Sequence, residues 1–280
     1  MEIKFQNVEF SYRRSSSKIL NGINLEIEEG KVTGIVGPSG SGKTTMIEMI
    51  NALKIPTKGK VIVGDTIISS RKKIENIRKF RSNIGLVFQF AEEQFFCDTV
   101  EKEISFAMEQ FNYSNEEIKN SIKKVLEIVE LDESFLSRDP FSLSNGEMRK
   151  VAIASILSYD PEVLILDEPT IGLDMTSKRN LINILTTIKI RYNKTIIVVS
   201  HDVDFINTIS DNVVILKEGI ILVSGNKYDV FKNEQLLLEN GIVLPKIIEF
   251  ENLVLVEKKV RLGYRDDIND LVKDILRHAK

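Results

Sequence analysis

Cysteine is almost absent from this 280-residue chain: Cys97 stands alone. That excludes an intrachain disulfide and any zinc site built on a cysteine cluster. An excess of one charge is missing too. The 38 Lys+Arg against 41 Asp+Glu leave a formal net of −3, so the basic surplus of a nucleic-acid binder is not there. No apolar run approaches the ~18 residues that cross a bilayer, and the opening Met-Glu-Ile-Lys-Phe lacks the apolar stretch of a secretion signal. Low-complexity linkers and convincing internal repeats are also lacking. The expectation is a soluble, cytoplasmic protein that reaches a membrane only through a partner. What is present is ordinary globular composition, 42% hydrophobic and 28% charged, long enough for one large domain with a small appendage.

Ile3, Phe5, Val8 and Phe10 alternate with polar residues, as do Ile23, Leu25 and Ile27. Period two predicts antiparallel strands with one wet face. Residues 31–36 read as a strand entering 37–45, followed by a helix over 46–53 and strands at 61–63 and 84–88, the last ending in Gln89. Ser114-Asn115-Glu116-Glu117 is a capping box, opening a helix with Ile118, Ile122, Val125, Leu126 and Val129 on one face. A second helix runs from Asn145 to about Ser158. Residues 163–166 show no polar alternation and end in Asp167-Glu168, which suggests a strand buried on both faces. A helix over 177–192, a strand over 195–200 and a hairpin about Gly219 follow. Strands alternating with helices predict an α/β fold around a covered parallel sheet. The tail differs. Residues 247–256 are apolar with mixed periodicity, and 267–279 place Ile268, Leu271, Val272, Ile275 and Leu276 on one helical face, an appendage suited to packing or dimer contact.

Gly37-Pro38-Ser39-Gly40-Ser41-Gly42-Lys43-Thr44 fits G-x-x-x-x-G-K-[ST] at every fixed position, between a predicted strand and a predicted helix that begins beside Thr45. Glycines let successive backbone N–H groups turn inward as an anion nest, and the helix adds its positive end. Lys43 supplies a point charge between the β- and γ-phosphates, and Thr44 a hydroxyl for Mg²⁺. At an effective dielectric of ~20, a unit charge pair at 4 Å is worth about 4 kcal/mol, so several such contacts outweigh the apolar burial open to a small ligand. The motif implies a nucleoside triphosphate site. It does not choose between a GTPase, a kinase, a recombinase and a transporter motor.

Leu164-Ile165-Leu166-Asp167-Glu168-Pro169-Thr170 sets two carboxylates at the carboxyl end of a buried strand, where open α/β sheets bind ligands. Asp167 is placed to hold Mg²⁺ through water, and Glu168 to polarise an attacking water. Upstream, Leu143-Ser144-Asn145-Gly146-Glu147 opens a helix, with Ser144 and Gly146 at a second anion-binding start. This order of features resembles an ATP-binding cassette (ABC) ATPase over roughly residues 2–235. The resemblance implies an α/β P-loop cassette over 1–238, with a parallel-sheet core, an N-terminal antiparallel β subdomain and a helical subdomain at about 90–160. Residues 239–280 then form a C-terminal appendage. It further implies that Tyr12 stacks on adenine and that Gln89 is the Q-loop glutamine, touching Mg²⁺ and sensing the γ-phosphate. Gly172-Leu173-Asp174 matches the D-loop, and His201, after Val198-Val199-Ser200, the switch histidine. Glu168, His201 and Gln89 are thus the catalytic candidates.

The stretch Phe88-Gln89-Phe90-Ala91-Glu92-Glu93-Gln94-Phe95-Phe96, with Thr99-Val100-Glu101 and Met148-Arg149-Lys150-Val151-Ala152-Ile153-Ala154, resembles the ATPases of energy-coupling factor (ECF) importers. The Phe90-Ala91-Glu92 version resembles the second of their two paralogues. This implies an ATPase using ATP and Mg²⁺, paired with a paralogous ATPase, a transmembrane coupling subunit and a substrate-binding membrane subunit. It also implies a place on the cytoplasmic face of the membrane, driving uptake of a vitamin or metal ion. A conventional ABC transporter ATPase is the alternative. A non-transport ABC protein acting on nucleic acid or ribosomes fits less well, given the single cassette and the missing basic excess. Phe90, Phe95 and Phe96 either line a groove for a membrane partner's helix or belong to the core; both readings stand.

Two positions depart from the ABC signature, which usually carries Gly where Asn145 stands and Gln where Glu147 stands. Asn tolerates helix-start geometry, but Glu147 brings negative charge to a triphosphate unless it points away. The ATP site using 144–147 is therefore expected to be the slower of two. Asn226-Lys227-Tyr228-Asp229 matches the guanine-reading N-K-x-D, yet lacks its companion motifs. The basic stretch Arg71-Lys72-Lys73, Arg78-Lys79 and Arg81 reads as a solvated helical face, and Cys97 as an inert small residue.

Overall fold

Alternation at the start of the chain builds the first of two sheets in the computed structural model, which describes residues 1–12, 17–258 and 271–273. Strands β1 (Ile3–Phe10), β2 (Leu20–Ile27), β4 (Lys58–Val63) and β5 (Thr66–Ile68) form an antiparallel sheet in the order β2-β1-β4-β5. The alternation skips a residue between Phe5 and Val8 because the register shifts there, with Asn7 at φ +52°. A bulge of this kind lets both Phe5 and Val8 face inward.

The second sheet holds the core. It comprises β3 (Val32–Val36), β6 (Ile84–Val87), β7 (Val163–Asp167), β8 (Thr195–Val199), β9 (Asn212–Lys217) and β10 (Ile220–Asn226), ordered β10-β9-β3-β8-β7-β6. All pairings are parallel except the β9–β10 hairpin. Every residue of β3, β7 and β8 is buried, as an unalternating apolar run requires. Successive residues serve opposite faces. Leu164, Leu166, Ile196 and Val198 pack into the cluster under the helices, while Val163, Ile165, Ile197 and Val199 pack toward the antiparallel sheet and α1 (Lys43–Ile50). The α/β cassette with a parallel core and an antiparallel β layer is thus the observed architecture.

Between β6 and β7 the chain is helical: α3 (Val100–Gln110), α4 (Asn115–Val129) and α5 (Asn145–Leu157), with short 3₁₀ turns at Ala91–Gln94, Glu133–Phe135 and Pro140–Ser142. Both predicted helix starts are capping boxes, Ser114 with Glu117 and Ser144 with Glu147. After β7 come α6 (Met175–Tyr192), α7 (Val203–Ile209), α8 (Lys227–Phe231), α9 (Glu234–Glu239) and α10 (Lys246–Lys258).

Several expectations shift. Helix α1 starts at Lys43 rather than Met46, because Gly42 at φ +102° ends the loop abruptly and every later residue takes up helical geometry. Strand β5 and helices α2 (Ile77–Ser82), α3 and α7–α10 have no counterpart in the sequence pattern; apart from α3 and α10, whose mixed periodicity masks it, they are too short to carry a period. The basic stretch is helical only from Ile77, and Arg81 is not a solvated residue: its guanidinium donates to the carbonyls of Asn51 and Ala52 at 3.2 and 3.1 Å. Ile242, Leu244 and Ile248 join the cluster under the helices, so the tail's first part packs on the core. The helix expected over 267–279 lies outside the described residues except for 271–273.

Candidate functional site

The loop between β3 and α1 is forced tight by its neighbours. A Cβ on Gly37 would stand 2.0 Å from the Leu216 carbonyl oxygen, so only glycine fits there. Within the loop, Lys43 Nζ donates to the carbonyls of Gly37 at 2.8 Å and Pro38 at 2.9 Å. Burial pulls the Lys43 ammonium below its usual pKa, with the charges of Glu168 and Asp167 opposing the shift. Ser41 is buried, and its hydroxyl has no hydrogen-bond partner among the described residues.

The carboxylate pair lies at the end of β7. Thr44 Oγ1 donates to Asp167 Oδ2 at 2.8 Å, while Asp167 Oδ1 is buried without a partner among the described residues. Burial raises the Asp167 pKa, the Thr44 hydrogen bond opposes the rise and the Glu168 charge adds to it. Glu168 sits at φ +47°, a conformation that costs a side-chain-bearing residue roughly 1–2 kcal/mol. It is held by its own N–H donating to the Val199 carbonyl at 2.8 Å. His201 completes the group: its backbone N–H donates to Glu168 Oε2 at 3.2 Å, and Nδ1 lies 2.8 Å from the same oxygen.

These side chains share one cleft of about 430 Å³. Ser39, Gly40, Gly42, Lys43, Thr44 and Thr45 form its floor, and Gln89, Asp167, Glu168 and His201 one wall. Tyr12 stands at the mouth, 64% exposed, with Lys54 Nζ 5.3 Å from the ring centroid. An exposed ring in that position leaves an aromatic face open to a planar group. The described residues contain no cluster of three or more His, Cys, Asp or Glu side chains suited to a metal. The corner of Thr44 hydroxyl and Asp167 carboxylate, with an orphaned oxygen, nevertheless suits a hard cation that takes its other ligands from phosphate and water.

Ser144, Gly146 and Asp174 do not reach this cleft. Ser144 and Gly146 line a separate cavity of about 150 Å³ beside Leu173 and Ser177, and Asp174 caps α6 by accepting from Ser177 N–H at 2.7 Å. Glu147 turns back onto Ser144. Its Oε2 accepts from the Ser144 hydroxyl at 2.6 Å and backbone N–H at 2.9 Å, and these bonds hold its carboxyl below the usual range.

The aromatic trio divides. Phe95 is core, at 7% exposure, whereas Phe90 and Phe96 are 44% and 62% exposed. Glu103, which belongs to no sequence motif, is buried and accepts from the N–H groups of Phe96 and Cys97 at 3.2 and 3.0 Å. Burial, then the Glu103 charge, pushes the Cys97 thiol up to about 11, so Cys97 is inert as expected. The N-K-x-D match is structural: Asn226 caps α8 through Tyr228 N–H, and Lys227 Nζ donates to the Asn207 carbonyl in the interior.

The sequence profile of the family described as ABC transporter matches residues 20–171. The chain is 39% identical over 279 residues to the energy-coupling factor transporter ATP-binding protein EcfA2 of Enterococcus faecalis, covering 99% of this chain and 95% of that protein. It is 41% identical over 283 residues to EcfA3 of Oenococcus oeni, at 100% and 96% coverage. The structure of cbiO1 from Clostridium perfringens, described as part of the ABC transporter complex cbiONQ, aligns with a TM-score of 0.77 at 31% identity, over 89% of this chain and 98% of that one. The dimeric bacterial ABC transporter cassette MJ0796 aligns at 0.70 and 30%, over 80% and 98%.

Proposed function

From the premise that this chain belongs to the ABC transporter ATPases, we propose that it is the ATP-hydrolysing subunit of an energy-coupling factor importer, working from the cytoplasmic face of the membrane. Its partners in this reading are a paralogous ATPase, a transmembrane coupling subunit and a substrate-binding membrane subunit, and its cargo is a vitamin or a metal ion. No helix among the described residues is long and apolar enough to cross a membrane, so the path for the solute belongs to those partners.

The observation that carries the reading is the division of the site. The phosphate loop, the carboxylate pair, Gln89 and His201 meet in one cleft, while Ser144 and Gly146 lie on another. A chain built this way completes an ATP site only by lending its signature to a second cassette. In that site Lys43 and the loop amides hold the phosphates, with Tyr12 against the base. Thr44 and Asp167 would hold Mg²⁺, joined by Gln89; the ion neutralises phosphate oxygens when bound. Glu168 orients the attacking water and accepts its proton, and His201 fixes the Glu168 carboxylate and faces the γ-phosphate. Phosphoryl transfer asks mainly for such positioning and charge stabilisation. Exposed Phe90 and Phe96 flank the loop after Gln89, where a coupling helix from the membrane partner docks in this reading; Phe95 lies largely buried beneath them.

The test is affinity purification of the tagged chain in mild detergent with identification of what accompanies it. A second cassette together with membrane subunits is expected, and ATP turnover that rises when they are present. A chain that neither pairs with any cassette in Mg·ATP nor retains a membrane partner overturns the proposal.

A further inference from the structure

Arg149 lies on α5, five residues after the Ser144 cap, and is only 3% exposed. Its guanidinium leaves the helix and donates to the carbonyls of Phe88 at 3.3 Å and Gln89 at 3.1 Å. Strand pairing between β6 and β7 stops at Val87 and Leu166, so these two carbonyls lie just beyond the ladder and Arg149 takes over from it. At the far end of the same loop, Glu103 of α3 accepts from the amides of Phe96 and Cys97. The loop is thus suspended from the helical layer at both ends, by a buried cation on its first carbonyls and a buried carboxylate on its last amides. A buried guanidinium hydrogen-bonded to two carbonyls is a rigid link, because moving either side alone would strip those bonds from both. Gln89 reaches the nucleotide cleft, and Ser144 caps the helix that carries Arg149.

We propose that Arg149 is a positioning residue that makes the Gln89 loop and the signature helix move as one body, so that nucleotide binding at this chain's own phosphate loop repositions Ser144 and Gly146. This rests on the ATPase reading above. It adds a named linkage, carried by a side chain that does not line the cleft of Lys43, Asp167 and Glu168. Lysine keeps the charge and can still donate, but from one compact ammonium without the planar, pre-organised fork of a guanidinium; methionine fills similar space and keeps neither charge nor donor.

The experiment is hydrogen exchange on the isolated chain, with and without Mg·ATP, for wild type, Arg149→Met and Arg149→Lys, alongside ATP affinity and melting temperature. In wild type, ATP slows exchange at the loop amides 39–45 and also alters it at 145–148. In Arg149→Met, ATP affinity stays within about twofold, the response at 39–45 persists and that at 145–148 is lost, while amides 89–97 exchange at least tenfold faster without nucleotide. Arg149→Lys falls between the two, and is read alone if the methionine variant does not fold. An unchanged response at 145–148 in both variants overturns the proposal. So does a loss at 145–148 that comes with an equal loss at 39–45 and in affinity, which marks a merely structural residue. Failure of the wild type to bind ATP at all would instead overturn the ATPase reading.

Discussion

His201 Nδ1 and Glu168 Oε2 lie 2.8 Å apart, and the same oxygen also accepts the His201 backbone N–H at 3.2 Å. Two contacts from one residue pin a carboxylate whose own backbone is held at φ +47° by the Val199 carbonyl. The ends of β7 and β8 are therefore cross-tied at the point where a water would be activated. In the proposed role of base, a carboxylate held this firmly would need little reorganisation at the moment of reaction.

Glu168→Gln keeps the shape and an acceptor for the His201 amide but removes the proton acceptor. Turnover is expected to fall by roughly 10²–10⁴-fold, with ATP affinity nearly unchanged. Steady-state hydrolysis beside equilibrium binding checks this; turnover near wild type would remove Glu168 from the base role.

Asp167 makes a pH prediction. Burial raises its pKa, and a cation must displace the proton. Apparent Mg²⁺ affinity should therefore fall as pH drops through that raised pKa, approaching tenfold per unit below it. The same shift means that the folded chain without nucleotide binds this proton more tightly than the unfolded one, so Asp167's contribution to stability falls as pH rises through that window. Asp167→Asn should remove both dependences, raise the melting temperature at neutral pH and abolish turnover. Mg²⁺ titrations and thermal melts across pH test the pair.

At the signature, the Ser144 hydroxyl donates to Glu147 Oε2 with the two oxygens 2.6 Å apart, which leaves its proton unavailable to a phosphate and adds negative charge. Asn145→Gly with Glu147→Gln should speed hydrolysis at the site this signature completes. About 1 kcal/mol of relieved repulsion at 4 Å in water corresponds to roughly fivefold. The measurement is turnover of the paired cassettes with the other site disabled; an unchanged or lower rate counts against it.

Gly37→Ala drives a methyl group to 2.0 Å from the Leu216 carbonyl. Backbone cannot yield as a side chain does, so a loss of about 3 kcal/mol and a melting temperature lower by roughly 6–12 °C are expected. Nucleotide affinity should fall with it. A melt within error of wild type would show that the loop can shift freely.

Much of the site was legible because its signals are local. The phosphate loop needs glycines at fixed spacing, and a capping box is written within four residues, so Ser114–Glu117 announced a helix start; the box of Ser144 with Glu147 emerged only in the structure. The apolar run before Asp167 required a strand buried on both faces. Less was legible where contacts join distant segments. Phe95 and Phe96 are adjacent and alike in sequence, yet one enters the core and the other faces solvent, because the 3₁₀ turn before them sets their direction.

From sequence alone came the α/β order, the nucleotide loop and the identity of each candidate residue, since backbone hydrogen bonding and side-chain period act over a few positions. Only the tertiary structure decided that Arg149 reaches back some sixty positions to the Gln89 loop, that Glu103 anchors the other end, and that Ser144 lies apart from Lys43. Those outcomes depend on how helices settle on the sheet, and packing of that kind is fixed by the whole core at once.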